Sequence, residues 1–279
     1  MIINGHSQHF ISASDRALHY GDGCFTTLVF AQGKLLAWPL HLARLKQDCS
    51  RLGIDFNQWQ ELSDSAQHLV NQNSTLLKGV LKVIVTRGSG GRGYSPCGVT
   101  NPNYLISSHD FPHHYKEWQS KGIKLVSSSV KLGKQPLLAG IKHLNRLEQV
   151  LIKQQLTSSE FDDALVCNSD NEIVESSAGN IFWWHDDQWY TPKLDECGVE
   201  GVMRNQICTV LAVNNQAVKK VNSLFNKNFV AQEMFICNSL MQIVPVVSLQ
   251  SHDGHHRWQF SCQQVKKLQI LVTEALSHE

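Results

Sequence analysis

The sequence predicts an α+β fold in two domains, a smaller N-terminal α/β domain and a larger C-terminal one. Strand-like and helix-like segments follow one another in mixed order, not in the regular alternation of a doubly wound sheet. The length, 279 residues, suits two domains. The stretch from His109 to Ser120 (HDFPHHYKEWQS) is polar, aperiodic and broken by Pro112, which marks a linker. The expected partition is therefore 1–110, a linker at 111–120, and 121–279.

The elements follow from local pattern. Met1 to Ile11 reads as short strand pieces around a turn at Asn4-Gly5, and Phe25 to Phe30 as an apolar run turned by Gln32-Gly33. Leu42, Leu45, Cys49 and Leu52 recur at spacings of three and four, so Leu40 to Leu52 is predicted helical. Arg44, Gln47, Asp48 and Arg51 lie between them, and Gly53 supplies a stop. Val80–Thr86 is rich in β-branched residues and predicts a strand, as does Asn103–Ser108. Beyond the linker, strands are expected at Gly122–Ser128, Ala164–Cys167, Ile173–Glu175, Asn180–Trp184 and Met234–Cys237. Helices are expected at Asn145–Leu156, from Val202, and at Cys262–Leu276.

Composition excludes several classes of function. The hydrophobic fraction is 42% and the charged fraction 18%, values of a globular chain with a core. With 25 basic and 24 acidic residues, no bulk field attracts nucleic acid or an acidic membrane. No apolar run reaches the ~18 residues of a membrane span, and Met1 to His6 shows no leader pattern. Eight scattered cysteines without Cys-x-x-Cys pairs predict free thiols in a reducing cytoplasm. His113-His114 and His255-His256 lack spaced acidic partners, so no metal site is expected.

Gly88-Ser89-Gly90-Gly91-Arg92-Gly93 matches a dinucleotide-binding pattern after a strand. That motif needs a helix to begin inside the glycines, and Pro96, Gly98 and Pro102 forbid one. The stretch reads instead as a solvated loop or as a substrate loop. In the second case Arg87 and Arg92 offer forked donors to a carboxylate and Tyr94 a phenol.

Four separated segments carry candidate chemistry. Lys142 lies between an apolar stretch and a helix start, either a surface charge or a catalytic amine. Glu175 follows a short strand, either a solvated turn carboxylate or one aimed into a cleft. Gly198 to Arg204 opens a helix whose free N–H groups suit an anion. Asn238-Ser239 ends a strand, to donate to a phosphate or to close a turn. Together they are what pyridoxal phosphate needs: an amine for its aldehyde, a carboxylate for its ring nitrogen, and a phosphate site with an arginine.

On these segments the chain resembles the fold-type-IV pyridoxal-phosphate enzymes, which include branched-chain and D-amino acid aminotransferases and aminodeoxychorismate lyases. The likeness runs from Ser14-Asp15-Arg16-Ala17 and Gly21-Asp22-Gly23-Cys24-Phe25-Thr26-Thr27, through His41-Leu42-Ala43-Arg44-Leu45, to the four segments in the family's order. The stretches Arg87 to Ser95 and Gly140 to Leu151 resemble the lyase branch in particular.

The resemblance implies a small N-terminal domain and a larger, barrel-like C-terminal domain with pyridoxal 5'-phosphate between them, in a homodimer. It implies Lys142 as the cofactor-bearing lysine and as the base, and Glu175 on the ring nitrogen. Arg44, the amides of Val202 and Met203, and Asn238-Ser239 would hold the phosphate. Arg87, Arg92, Tyr94 and Thr26 would face a small-molecule substrate, and Thr27 would orient the lysine or protonate the leaving group. Read as a strand residue alone, Thr27 is equally a threonine satisfied by backbone. The implied reaction converts 4-amino-4-deoxychorismate to 4-aminobenzoate and pyruvate. A D-amino acid or branched-chain aminotransferase, or an inactive binding protein on the same fold, are the alternatives. Met203 stands where the aminotransferases tend to carry threonine, and Cys237-Asn238-Ser239-Leu240 replaces a Gly-Thr-Ala type of turn.

Overall fold

A computed structural model describes residues 1–73, 76–157 and 159–277. The chain forms two compact units, Met1–Pro112 with Ile141–Asn145, and His113–Gly140 with Arg146–Glu279. The expected partition placed 142 with the second domain; by its contacts the 141–145 stretch clusters with the first. The reason is backbone pairing along an open strand edge, described below.

The first unit is a six-stranded sheet in the order β2-β1-β6-β5-β3-β4. Its strands are β1 (Ile2–Ile3), β2 (His6–Ser7), β3 (Gly23–Ala31), β4 (Lys34–Leu35), β5 (Lys78–Thr86) and β6 (Asn103–Asp110). Its helices are α1 (Arg16–Tyr20), α2 (Trp38–Leu52) and α3 (Trp59–Gln72). Asn4 and Gly5 both adopt positive φ, the twist a tight hairpin needs. Along β3, Cys24, Thr26, Leu28 and Phe30 turn to one face and are at most 1% exposed. Leu45 and Cys49 of α2 and Leu62, Ala66, Leu69 and Val70 of α3 pack in the same core. The sequence reading has no helix at α3, although Leu62, Ala66, Leu69 and Val70 fall on one helical face. Gly53, in the left-handed conformation, ends α2 as expected.

The second unit holds α4 (Tyr115–Lys121), β7 (Ile123–Ser127), α5 (Leu147–Leu156), β8 (Asp163–Cys167), β9 (Ile173–Ser176), β10 (Asn180–His185) and β11 (Gln188–Pro192). It continues with α6 (Val202–Val213), β12 (Lys219–Val221), β13 (Glu233–Asn238), β14 (Gln242–Gln250), β15 (Arg257–Gln259) and α7 (Gln263–Ser277). Its nine strands run β12-β11-β10-β13-β14-β7-β8-β9, with β15 on β14. β9 packs back against β10 and β11, which curls the sheet. β13 is buried on both faces. Met234 and Ile236 enter one core, while Phe235 and Cys237 meet Met203 and Ile207 of α6 and Val265 and Leu268 of α7 in another.

One expectation changes. The presumed linker contains α4, whose Tyr115 and Trp118 pack against a core cluster; a helix of about two turns has too little periodicity to show in sequence. The apolar segment after Asn238-Ser239 is the strand β14. Pro245 pairs with Phe235 on one side, and β7 joins only from Val246 onward, so no ladder bond is asked of the missing N–H there.

The glycine-rich loop after β5 forms no helix, as its prolines require. Gly88, Gly90, Gly91 and Gly93 all have positive φ, but only some are also confined. A Cβ at Gly88 would fall 1.9 Å from the Asn101 carbonyl oxygen, whereas nothing lies within 4 Å of one at Gly93. Gly88→Ala should therefore cost about 2–4 kcal/mol in urea denaturation, through backbone strain plus overpacking. Gly93→Ala should cost only about 1–2 kcal/mol, from its left-handed backbone alone. Equal losses would contradict the packing of this loop.

Candidate active site

In the first unit, chemistry gathers where α2 crosses β3. The buried stripe of α2 is not purely apolar. His41, Leu45, Asp48 and Cys49 are buried, with Arg44 half-buried between them. Thr26 Oγ1 lies 2.6 Å from His41 Nδ1 and accepts a hydrogen bond from Arg44 Nη2. Burial above all, then the charges of Arg44 and Lys142, lowers the His41 pKa to about 3, so its ring is neutral.

The 141–145 stretch runs along the Gly23–Phe25 end of β3, beyond the reach of β4. Phe25 N–H donates to the Lys142 carbonyl (2.9 Å), Leu144 N–H donates to the Gly23 carbonyl (3.0 Å), and Cys24 bridges to His143. Lys142 N–H donates to Asp48 Oδ2 at 3.1 Å. The Lys142 ammonium stands 4.5 Å from the centre of the Phe25 ring, a cation–π distance. By strand alternation Thr27 shares the sheet face of Phe25, opposite Thr26.

The glycine-rich loop is organised from within. Arg16, 4% exposed, donates from Nε to Asp22 (2.8 Å) and through its two terminal nitrogens to the carbonyls of Gly93, Tyr94 and Ser95. Arg87 Nε shares the same Asp22 oxygen at 2.8 Å, and its other nitrogens donate to the Leu52 and Gly53 carbonyls. Burial pushes the Asp22 carboxyl up, but Arg87 and Arg16 outweigh it and hold its pKa below the ordinary value. Arg92 and Tyr94 are exposed, with the Tyr94 ring 5.4 Å from that of Tyr20.

Two expected substrate residues are thus placed otherwise. Thr26 is fully buried and binds His41 and Arg44, because strand alternation turns it toward α2. Every nitrogen of Arg87 is engaged by its own unit, because the arginine closes the base of the loop on the end of α2.

In the second unit, Glu175 at the end of β9 is 6% exposed. Its Oε1 accepts from Gln149 Nε2 (3.2 Å) and its Oε2 from Val199 N–H (2.9 Å). Asn180 of β10 clamps the loop that presents Val199. Its Nδ2 donates to the Val199 carbonyl (2.7 Å) and its Oδ1 accepts from Gly201 N–H (3.2 Å). A Cβ at Gly201 would fall 2.2 Å from that Oδ1, so only glycine permits the clamp. Gly201 then begins α6 with no side-chain cap, leaving the amides of Val202 and Met203 without the acceptor a capping residue would supply. Asn238 closes the β13–β14 turn: its Nδ2 donates to the Ala178 carbonyl, and its Oδ1 accepts from the amides of Leu240 and Met241. Of the two functions open to it in sequence, the turn is the one its atoms serve, and Ser239 sits half-buried in the same turn.

Sequence reasoning gave no role to Arg16, Asp22, His41, Asp48, Gln149 or Asn180. Arg16, Asp22 and His41 lie in the recognised motifs, but their work is done by contacts with distant segments. Asp48 lies among the apolar positions of α2, at three from Leu45 and four from Leu52, but no local signal says which group its carboxylate meets.

The neutral histidine makes a pH prediction. Its ordinary value is 6.5 and its folded value about 3, so the unfolded chain takes up a proton that the folded protein refuses. Stability from this group is complete above 6.5 and is lost as pH falls toward 3, at up to about 1.4 kcal/mol per pH unit. His41→Asn keeps a partner for Thr26 and removes the titration. Its denaturation free energy should fall less steeply than the wild type's between pH 6.5 and 3; parallel profiles would show that His41 is not held neutral.

The chain is similar to several known proteins. The family model for amino-transferase class IV matches residues 23–249. Aminodeoxychorismate lyase from Vibrio harveyi is 37% identical over 252 residues, 90% of this chain and 92% of that protein. A crystal structure of 4-amino-4-deoxychorismate lyase from Pseudomonas aeruginosa superposes with a TM-score of 0.88 at 32% identity, covering 98% of each chain. D-alanine aminotransferase from Bacillus licheniformis is 26% identical over 250 residues, 87% of this chain and 84% of that protein. A family match over most of the chain, with a relative this similar along nearly its whole length, is decisive: the chain belongs to the class IV aminotransferase family.

Proposed function

We propose that the protein is a pyridoxal-phosphate-dependent lyase that converts 4-amino-4-deoxychorismate to 4-aminobenzoate and pyruvate. The observation that carries this reading is the end-to-end likeness to aminodeoxychorismate lyases in both sequence and fold. Each unit carries groups of the kind the cofactor needs. The first has a cation in Arg44, and the second has an uncapped helix start at α6, whose amides suit an anion. Glu175 is a buried carboxylate whose two oxygens are fixed by separate donors, as a protonated ring nitrogen needs. Lys142 supplies the amine.

When bound, the cofactor acts as an electron sink for the carbon that loses a proton. The rest falls to the protein. Lys142 Nζ takes the proton from the ring carbon bearing the substrate nitrogen, and the enolpyruvyl oxygen leaves from the neighbouring carbon, taking up a proton to depart as pyruvate. Aromatisation of that ring supplies the driving force. Glu175 would face the ring nitrogen of the bound cofactor, its carboxylate oriented by Gln149 and the Val199 amide. Thr27, on the sheet face of Phe25, orients the lysine or protonates the leaving group. Arg92 and Tyr94 are the exposed loop residues that would receive the substrate carboxylates, Arg92 with a forked donor.

The stripe Leu147, Val150 and Leu151 on α5, each at least 50% exposed, supports a homodimer in which a second copy covers it. The free state of all eight cysteines supports work in a reducing cytoplasm. Among the described residues no helix is long and apolar enough to cross a membrane, and no cluster suited to a metal ion is present.

Purified protein supplied with pyridoxal phosphate should be yellow, bleach with borohydride, and release pyruvate from aminodeoxychorismate. Lys142→Ala should lose the stable colour and at least about 10²–10⁴-fold in turnover, the scale of a missing general base. Glu175→Gln should bind the cofactor but turn over more slowly. Transamination of D-alanine or a branched-chain amino acid with 2-oxoglutarate, in place of pyruvate release, would overturn the lyase reading and favour an aminotransferase.

A further inference from the structure

The carboxylate of Asp48 is 3% exposed, in the middle of a helix whose core-facing stripe is elsewhere mostly apolar. A buried carboxylate is costly unless its partners compensate for lost water. Its partner here is the backbone of the lysine the mechanism depends on, through the Oδ2···N contact of 3.1 Å. The other side of the same residue is also held, since its carbonyl accepts from Phe25. Lys142 is thus fixed between a helix and a strand edge, with its amine over the Phe25 ring.

We propose that Asp48 is the positioning residue for Lys142: it fixes the lysine's backbone, and its carboxylate bears on the charge of the amine that this backbone carries. This rests on reading Lys142 as the cofactor-bearing lysine. The surrounding groups agree. From α2, His41 is neutral, while Arg44 and Arg51 are cationic; from β5, Lys82 approaches the same Phe25 ring; from β3, the Cys24 thiol is pushed up by Cys49, by burial and by the charge of Asp48. Burial raises the Asp48 pKa, and the Lys142 N–H with the charges of Arg44, Arg51 and Lys142 pulls it partly back. The charge of Lys142 helps to keep the carboxylate ionised, and by reciprocity the loss of the Asp48 charge favours the neutral amine. Asp48 acts on the reaction through Lys142, by setting how firmly the amine holds the proton it must carry.

The test uses the full chain, first without cofactor. Acetylation of Lys142 by acetic anhydride is followed against pH by mass spectrometry of its peptide. Asp48→Asn keeps an acceptor and removes the charge. It should move the Lys142 midpoint to lower pH by at least about half a unit, so that about three-fold more amine is neutral at a given pH. Asp48→Glu should restore the midpoint. Asp48→Ala should move it in the same direction and also speed amide hydrogen exchange at Lys142 by at least about ten-fold, because the backbone bond is lost. It decides the question should the asparagine variant not fold. An unmoved midpoint, or an exchange rate untouched by Asp48→Ala, would overturn the proposal and leave Asp48 a purely structural residue that lowers only the melting temperature. Addition of pyridoxal phosphate to the same proteins separates the two readings. A wild type that stays colourless refutes the function, while the labelling result still decides Asp48.

Discussion

The structure turns on how one short stretch of backbone is held. The Lys142 peptide is bonded on both sides, its N–H to a buried carboxylate on α2 and its carbonyl to an amide at the start of β3. A flexible lysine side chain in the role proposed for Lys142 gains little from reach alone; it gains from a fixed origin. The first unit provides that origin by lending an unpaired strand edge to 141–145. Gly23 makes the approach possible: a Cβ there would fall 2.4 Å from the Val85 carbonyl oxygen and 2.9 Å from Leu144 Cδ1.

The polar stripe of α2 then sets the local electrostatics. His41, Arg44 and Asp48 occupy one side of the helix at spacings of three and four, and Thr26 links the first two. Burial beside two cations keeps His41 uncharged, so the charges that bear on Asp48 are those of Arg44, Arg51 and Lys142. The same economy governs the loop after β5, where one carboxylate, Asp22, orders two arginines and one of these, Arg16, gathers three successive carbonyls.

The second unit solves a matching problem with backbone instead of charge. Glu175 receives one of its two donors from a main-chain amide, and the loop carrying that amide is gripped at both ends by a single asparagine side chain. The grip requires glycine at 201, and the same glycine starts α6 without a capping side chain. One residue choice thus shapes the carboxylate's surroundings and leaves helix amides available to an anion.

Much of this was legible in the sequence. The strands rich in β-branched residues, the leucine spacing of α2, the glycine that ends it and the prolines that forbid a helix after Gly88 are local signals, because propensity and periodicity act over a few residues. The family motifs named Lys142, Glu175 and Arg44. What local signals cannot carry is which way a side chain faces once elements pack. Thr26 and Thr27 are neighbours of one type, and strand alternation alone sends one to α2 and the other to the Phe25 face. Asp48 falls on the inward side of α2 and Gln47 on the outward side, but only the lysine segment beside the helix makes a carboxylate belong there. The sequence by itself determined most of the elements and the family. Tertiary structure decided which polar groups are buried together, because burial and hydrogen-bond geometry depend on segments about a hundred residues apart meeting at a strand edge.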